Sequence, residues 1–202
     1  MPLPLPLGFL SIDPITHRAA LVGHVLDKLD QRPLPDVTVE IIDAPAAYQA
    51  RLATLRQGRP SARPDRLVTD DHGLFRWLDL PVGTYTLRAS LSGTRYAIAT
   101  TTASVVASTA ASAEMLLVPT AVTGTVSADN PAGPLAMVRV RMLDSGEVTF
   151  SAADGSFTLS PLEPGAARVI ELSAQRYITA TRTVMLQQGQ TTTTPAITLL
   201  HS

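Results

Sequence analysis

Residues 71–85 read DHGLFRWLDLPVGTY, and residues 154–165 read DGSFTLSPLEPG. Each stretch opens on Asp and Gly that favour a tight turn, runs on with apolar and polar residues in alternation, and closes on Pro and Gly that turn the chain again. Alternation with period two sets one face of a strand against a core and the other in water. Gly73, Phe75, Leu80 and Gly83 return as Gly155, Phe157, Leu162 and Gly165, 82 positions on. Upstream, Gly23, Val25, Pro33, Leu34, Val37 and Val39 return as Gly124, Val126, Pro134, Leu135, Val138 and Val140, 101 positions on. Downstream, LSGTRYAIAT at 91–100 returns as LSAQRYITAT at 172–181. Self-similarity of this kind marks duplicated units. The boundary falls near Pro119, and the first copy carries nineteen additional residues between Val39 and Gly73.

The remaining runs support short strands: VTVEII at 37–42, TYTLRAS at 84–90 and MVRVRML at 137–143. With 202 residues, 45% of them apolar, the chain can bury one large core or two small ones. Sixteen Pro and twelve Gly argue for many turns rather than long helices. Basic and acidic residues balance at 16 and 17, so no overall field draws nucleic acid or an anionic membrane. Without cysteine there is no disulfide framework and no thiolate chemistry. No Lys or Arg precedes Arg18, so a secretory n-region is missing, and no apolar run approaches a membrane span. A cytoplasmic chain is expected.

The repeated pattern resembles the carboxypeptidase regulatory-like domain, a small sandwich of transthyretin-like (prealbumin-like) topology. The first copy supplies Gly23-His24-Val25, Pro33-Leu34, Val37-Thr38-Val39, Asp71-His72-Gly73-Leu74-Phe75 and Leu80-Pro81-Val82-Gly83-Thr84-Tyr85. The second supplies Gly124-Thr125-Val126, Pro134-Leu135, Val138-Arg139-Val140, Asp154-Gly155-Ser156-Phe157 and Leu162-Glu163-Pro164-Gly165, with Ala167 in place of the corner Tyr. The resemblance implies an all-β chain of two tandem seven-stranded antiparallel sandwiches. It divides the sequence into an apolar arm at 1–18, a first sandwich at 19–118 with an inserted helix and loop at 43–66, and a second at 120–202. It implies architecture rather than chemistry.

What neither copy needs for its sandwich is the place to look for function. In the insertion, Asp43 is placed to cap a helix over Ala44–Gly58, and Tyr48, Leu52 and Leu55 form one apolar stripe. That stripe covers either its own sandwich or a partner. Arg51, Arg56, Arg59, Arg63 and Arg66 meet only Asp65 in sixteen residues, a basic stretch suited to carboxylates or phosphates. Alternating Pro bars the arm MPLPLPLGFL from a regular helix, so it runs extended, with Leu3, Leu5, Leu7, Phe9 and Leu10 to bury. The expected partner-binding set is therefore Leu3, Leu5, Leu7, Phe9, Leu10, Tyr48, Leu52, Leu55, Arg56, Arg59 and Arg63.

No catalytic, metal or cofactor residues are assigned. His17, His24, His72 and His201 are dispersed, Asp70-Asp71-His72 reads as a hairpin turn, and the Tyr and His iron ligands of intradiol dioxygenases and the Tyr-Arg-Gly-Ser ending of hydroxyisourate hydrolases are missing. The one Lys, Lys28, lies in a turn and cannot be the buried amine of a self-formed isopeptide crosslink. The sequence points to a non-enzymatic structural or assembly protein that holds copies of itself or other subunits. By analogy with related gene clusters, the setting is a phage-tail-like contractile injection particle. The alternative is a carbohydrate- or peptide-binding module, for which Tyr48 and Phe150 are the rings left over from the expected cores.

Overall fold

A computed structural model describes residues 18–61 and 63–202. The first unit comprises β1 (Ala19–Asp27), β2 (Thr38–Asp43), α1 (Ala46–Gly58), β3 (Arg66–Val68), β4 (Leu74–Leu78), β5 (Gly83–Ser90), β6 (Ala99–Val105) and β7 (Ala111–Leu117). Its strands form two sheets, ordered β4-β1-β7 and β3-β2-β5-β6. Both sheets turn their alternate apolar residues inward, and Leu21, Val39, Phe75, Trp77, Tyr85, Leu87 and Met115 meet in one buried cluster. The second unit comprises β8 (Ala121–Asp129), β9 (Ala132–Pro134), β10 (Arg139–Met142), β11 (Val148–Phe150), β12 (Ser156–Leu159), β13 (Gly165–Ser173), β14 (Ala180–Leu186), β15 (Thr191–Thr193) and β16 (Ile197–Leu199). Here the orders are β12-β8-β15, with β9 and β16 also on β8, and β11-β10-β13-β14. They enclose a separate cluster that includes Val126, Val140, Phe157, Ile170 and Leu199.

Seven strands were expected in each copy. Among the described residues the first has seven and the second nine, and the difference is local chemistry. The single bridge Leu26–Pro33 of the first copy lengthens into β9 on β8 in the second. The strand matching β7 is split into β15 and β16 around Pro195, which has no N–H to give a ladder. In each unit the last strand lies parallel to the first: β7 along β1, and β15 with β16 along β8.

The quoted motif explains its own geometry. Gly73 and Gly155 both turn the chain at positive φ, +69° and +77°, and a Cβ on either would sit within 2.6 Å of a carbonyl oxygen of the unit's first strand. Phe75 and Phe157, two residues on, are each 4% exposed and press against Gly23 and Gly124, whose hydrogen faces leave room for the ring. The corner Tyr85 is fully buried and donates its hydroxyl to the Pro81 carbonyl at 2.7 Å. Two expectations for the insertion change. The helix begins at Ala46 with Pro45 at its cap position, and Asp43 closes β2, its Oδ1 accepting from the Ala44 N–H at 2.9 Å rather than capping α1.

Candidate functional site

The insertion leaves β2, crosses as α1 and leads back to β3, against the side of the sandwich where β3 and β4 stand at the ends of their sheets. Of its apolar stripe, Tyr48 is buried, Leu52 is half-buried against the first core, and Leu55 is 44% exposed. Tyr48 meets the corner Tyr85 edge to face at 5.6 Å. Burial pushes the Tyr48 hydroxyl up to about 12, and that hydroxyl has no hydrogen-bond partner among the described residues. A cleft of about 140 Å³ remains between α1 and β4, lined by Arg51, Leu52, Leu55, Trp77 and Leu80 among others. Most of the stripe thus serves its own unit, with Leu55 left outward.

The basic stretch is largely spoken for within the chain. Asp65 is 4% exposed; Arg56 Nη2 donates to its Oδ2 at 3.1 Å, and Arg63 forks onto both its oxygens at 3.2 Å. Burial pushes the Asp65 carboxyl up, but hydrogen bonds from Arg63 and from its own backbone, with the charges of Arg63 and Arg56, carry it below the ordinary value. Arg63 also pairs with Glu40, which takes Arg88 Nη2 on its other oxygen at 2.6 Å. Arg51 donates to the Asp79 carbonyl at 2.8 Å and Arg66 to Thr38 Oγ1 at 3.2 Å. Arg59 lies exposed on the loop after α1. The cations gather around a buried carboxylate instead of offering an open anion site.

Where α1 stops covering the edge, a groove of about 430 Å³ runs between β3 and β4, lined by Val22, Leu67, Val68, Leu74, Phe75, Asp70 and Arg76. Val68 is 57% and Leu74 49% exposed. The second unit holds the equivalent positions in the same register, with Thr123 opposite Thr158, Thr149 opposite Val140 and Ser156 opposite Thr125, where the first has Val22 opposite Arg76, Leu67 opposite Val39 and Leu74 opposite His24. The fold therefore does not require apolar side chains at those places. Sequence reasoning missed this groove, although its signal was present: Val22, Leu67 and Leu74 are where the repeat fails to repeat. Leu3, Leu5, Leu7, Phe9 and Leu10, expected to bind partners, lie outside the described residues.

The turn at Asp70–Gly73 behaves as turn chemistry. Asp70 Oδ1 accepts from the N–H groups of Leu74 and His72, both at 2.9 Å, and those bonds hold its carboxyl below the ordinary range. No group of three or more His, Asp or Glu suited to a metal occurs among the described residues. The histidines expected to be dispersed are not all so: the structure brings His24 beside His72, its Nε2 facing the His72 carbonyl at 2.6 Å, while His201 lies edge-on to Tyr177. Lys28 is exposed in its turn. Among the described residues Phe150 is the one exposed ring, at 52%, so no aromatic platform forms on a sheet face. No described helix is long and apolar enough to cross a membrane.

No protein-family model matches the chain, and no curated protein matches it. Among solved structures, the shaft pilin SpaA of Lactobacillus rhamnosus GG aligns with 93% of this chain and 98% of its own at 13% identity and a TM-score of 0.44. The Bacillus anthracis TIE protein aligns with 91% of this chain and 34% of its own at 13% identity and a TM-score of 0.43. The minor pilin GBS52 of Streptococcus agalactiae aligns with 90% and 95% at 13% identity and a TM-score of 0.34. Likenesses this weak assign neither a function nor a partner. Neither they nor the fold support a phage-tail-like contractile particle as the setting of this chain.

Proposed function

We propose that this chain is a non-enzymatic structural protein, two sandwiches of the transthyretin-like, carboxypeptidase regulatory-like kind, which binds other protein subunits through its arm, its insertion and its open strand edges. The observation that carries the reading is the apolar groove between β3 and β4. Leu74, exposed, and Leu67, half-buried, stand there where the second unit has Ser156 and Thr149, while exposed Val68 stands where it has Phe150. Exposed apolar surface beside an unpaired edge is a liability that a partner removes. The arm fits such an edge. In an extended Pro-Leu repeat the Leu side chains share one face and the Leu N–H groups one edge, while the Pro row has no donor to offer a further strand. Leu55 and Arg59, outward on the insertion, extend the same side of the unit. An assembly role does not depend on the compartment in which the chain resides.

Deleting residues 1–17 tests the reading. The truncated chain is expected to melt within a few degrees of the full one and to lose self-association or partner binding in sedimentation. Unchanged assembly, both in that truncation and in a Leu67→Thr, Leu74→Ser chain carrying the second unit's residues, overturns it.

A further inference from the structure

The two units touch each other through a pair of faces, and each unit carries on its far side an equivalent of the face that its neighbour uses. Within the chain, residues 94–97 and 118–119 of the first unit seat on residues 120–121, 162–163 and 187–190 of the second. The Thr120 N–H donates to the Arg95 carbonyl at 2.7 Å and Gln188 Nε2 to the Tyr96 carbonyl at 2.7 Å across the contact, and within the first unit the Ala97 N–H donates to the Val118 carbonyl at 2.9 Å and shapes its end face. Arg95 reaches Glu163 at 2.8 Å and Glu147 at 3.1 Å.

The second unit builds the same end face a second time. Ser202 N–H donates to the Arg176 carbonyl at 2.9 Å, Ile178 N–H to the Leu200 carbonyl at 2.8 Å, and Tyr177 bridges His201 as Tyr96 bridges Pro119. The first unit likewise repeats the receiving face. Its counterpart is a cleft of about 320 Å³ lined by Ala20, Leu80, Val82, Val106 and Ser108 among others. Ser108 stands for Gly189, both at positive φ, 68° and 66°. Within the chain these faces cover each other, but the outer copies carry exposed apolar residues instead: Val82 at 61% and Val106 at 54% in the cleft, Ile178 at 55% and Leu200 at 54% on the end face.

We infer that the end face of the second unit docks into this cleft on the first unit of a second copy, so that copies stack head to tail. The inference rests on the assembly reading and names the partner, another copy of this chain. The mate surfaces are different patches, so the contact is heterologous and propagates instead of closing a dimer. It is not a replica of the internal contact. A Cβ on Gly189 would stand 2.2 Å from the Ala97 Cβ, so Ser108 and Ile178 cannot approach that closely. The outer contact sits wider and is filled by Val82, Val106, Ile178 and Leu200, where the internal one uses Arg95 and its two carboxylates.

The absence of cysteine makes the test direct. The full chain carrying both Val82→Cys and Ile178→Cys, mildly oxidised, is expected to give a ladder of disulfide-linked dimers, trimers and higher species on a non-reducing gel. Monomer alone, a ladder that stops at dimer, or an equal ladder from Val68→Cys with Ile178→Cys overturns the contact. A second pair of variants reads it without crosslinking: Val82→Glu is expected to weaken self-association at least about tenfold, and Ile178→Lys added to it to restore association by pairing the new charges. No loss, or no rescue, counts against it. A missing ladder with association still dependent on the arm would remove this contact and leave the assembly reading; a ladder in a chain whose assembly ignores arm and groove would do the reverse.

Discussion

Thr69 and Ser151 occupy one place in two copies and do one job. Thr69 Oγ1 accepts the Val37 N–H at 2.9 Å and donates to the Leu34 carbonyl at 2.8 Å; Ser151 Oγ accepts the Val138 N–H at 2.9 Å and donates to the Leu135 carbonyl at 2.7 Å. Both side chains are buried, so each hydroxyl satisfies a donor and an acceptor that water cannot reach. Replacing Thr69 with Val keeps the shape and strands both groups, so urea unfolding should show a loss of about 2 kcal/mol, while Thr69→Ser, the second copy's own choice, should cost well under that. Equal losses for the two variants would show that the hydroxyl is not what matters. This pair escaped the sequence comparison because Thr and Ser are not identical and the hydroxyl's partners lie over thirty residues away in the first copy. Phe75 and Phe157 were legible, because an aromatic two residues past a turn Gly leaves a mark that alternation alone predicts.

The helix α1 shows which parts of an element a sequence announces. The spacing of Tyr48, Leu52 and Leu55 by four and then three residues gave the helix, and at Tyr48 and Leu52 its inward face, since a helix repeats every 3.6 residues. The cap was misplaced because Asp43 was already committed to the end of β2, and the fate of the Arg cluster was hidden because its carboxylates include Glu40, on a different strand. At this scale the Tyr48 hydroxyl makes a testable case. Buried without a partner, it costs desolvation and returns nothing, so Tyr48→Phe should be neutral or stabilising by up to about 2 kcal/mol in thermal or urea melts. The sign of its titration follows. With the folded value raised from 10.0 to about 12, the stability linked to this group is fully present below pH 10 and lost as pH rises through about 12. Tyr48→Phe should flatten that part of the alkaline profile; a clear loss of stability at neutral pH would mean that the hydroxyl is bonded.

At the scale of the molecule, duplication was plain from the offsets, while the way the copies meet was not, because Arg95 itself repeats as Arg176 and its partners Glu147 and Glu163 stand in loops of the other copy at positions where the repeat is not kept. Thr94 and Arg95 hold the Glu163 carboxyl below its ordinary value by hydrogen bonding. A depressed carboxylate contributes stability above its unfolded value and loses it as pH falls through the folded one. An Arg95→Ala, Glu163→Gln double-mutant cycle should thus give a coupling under about 1 kcal/mol at neutral pH, since both side chains are more than a third exposed, and it should fade with added salt and with acid. A coupling that ignores both would assign the contact to packing. One further property follows from the parallel pairing of first and last strands. Pulling the chain from both sides of a unit slides β7 along β1, or β15 and β16 along β8, so tension is carried in shear by a whole row of bonds at once and not peeled off one by one. The first unit's row is continuous over seven pairs from Leu21 to Asp27, whereas the second's is interrupted around Pro195, which makes the second unit the first of the two to give way under tension.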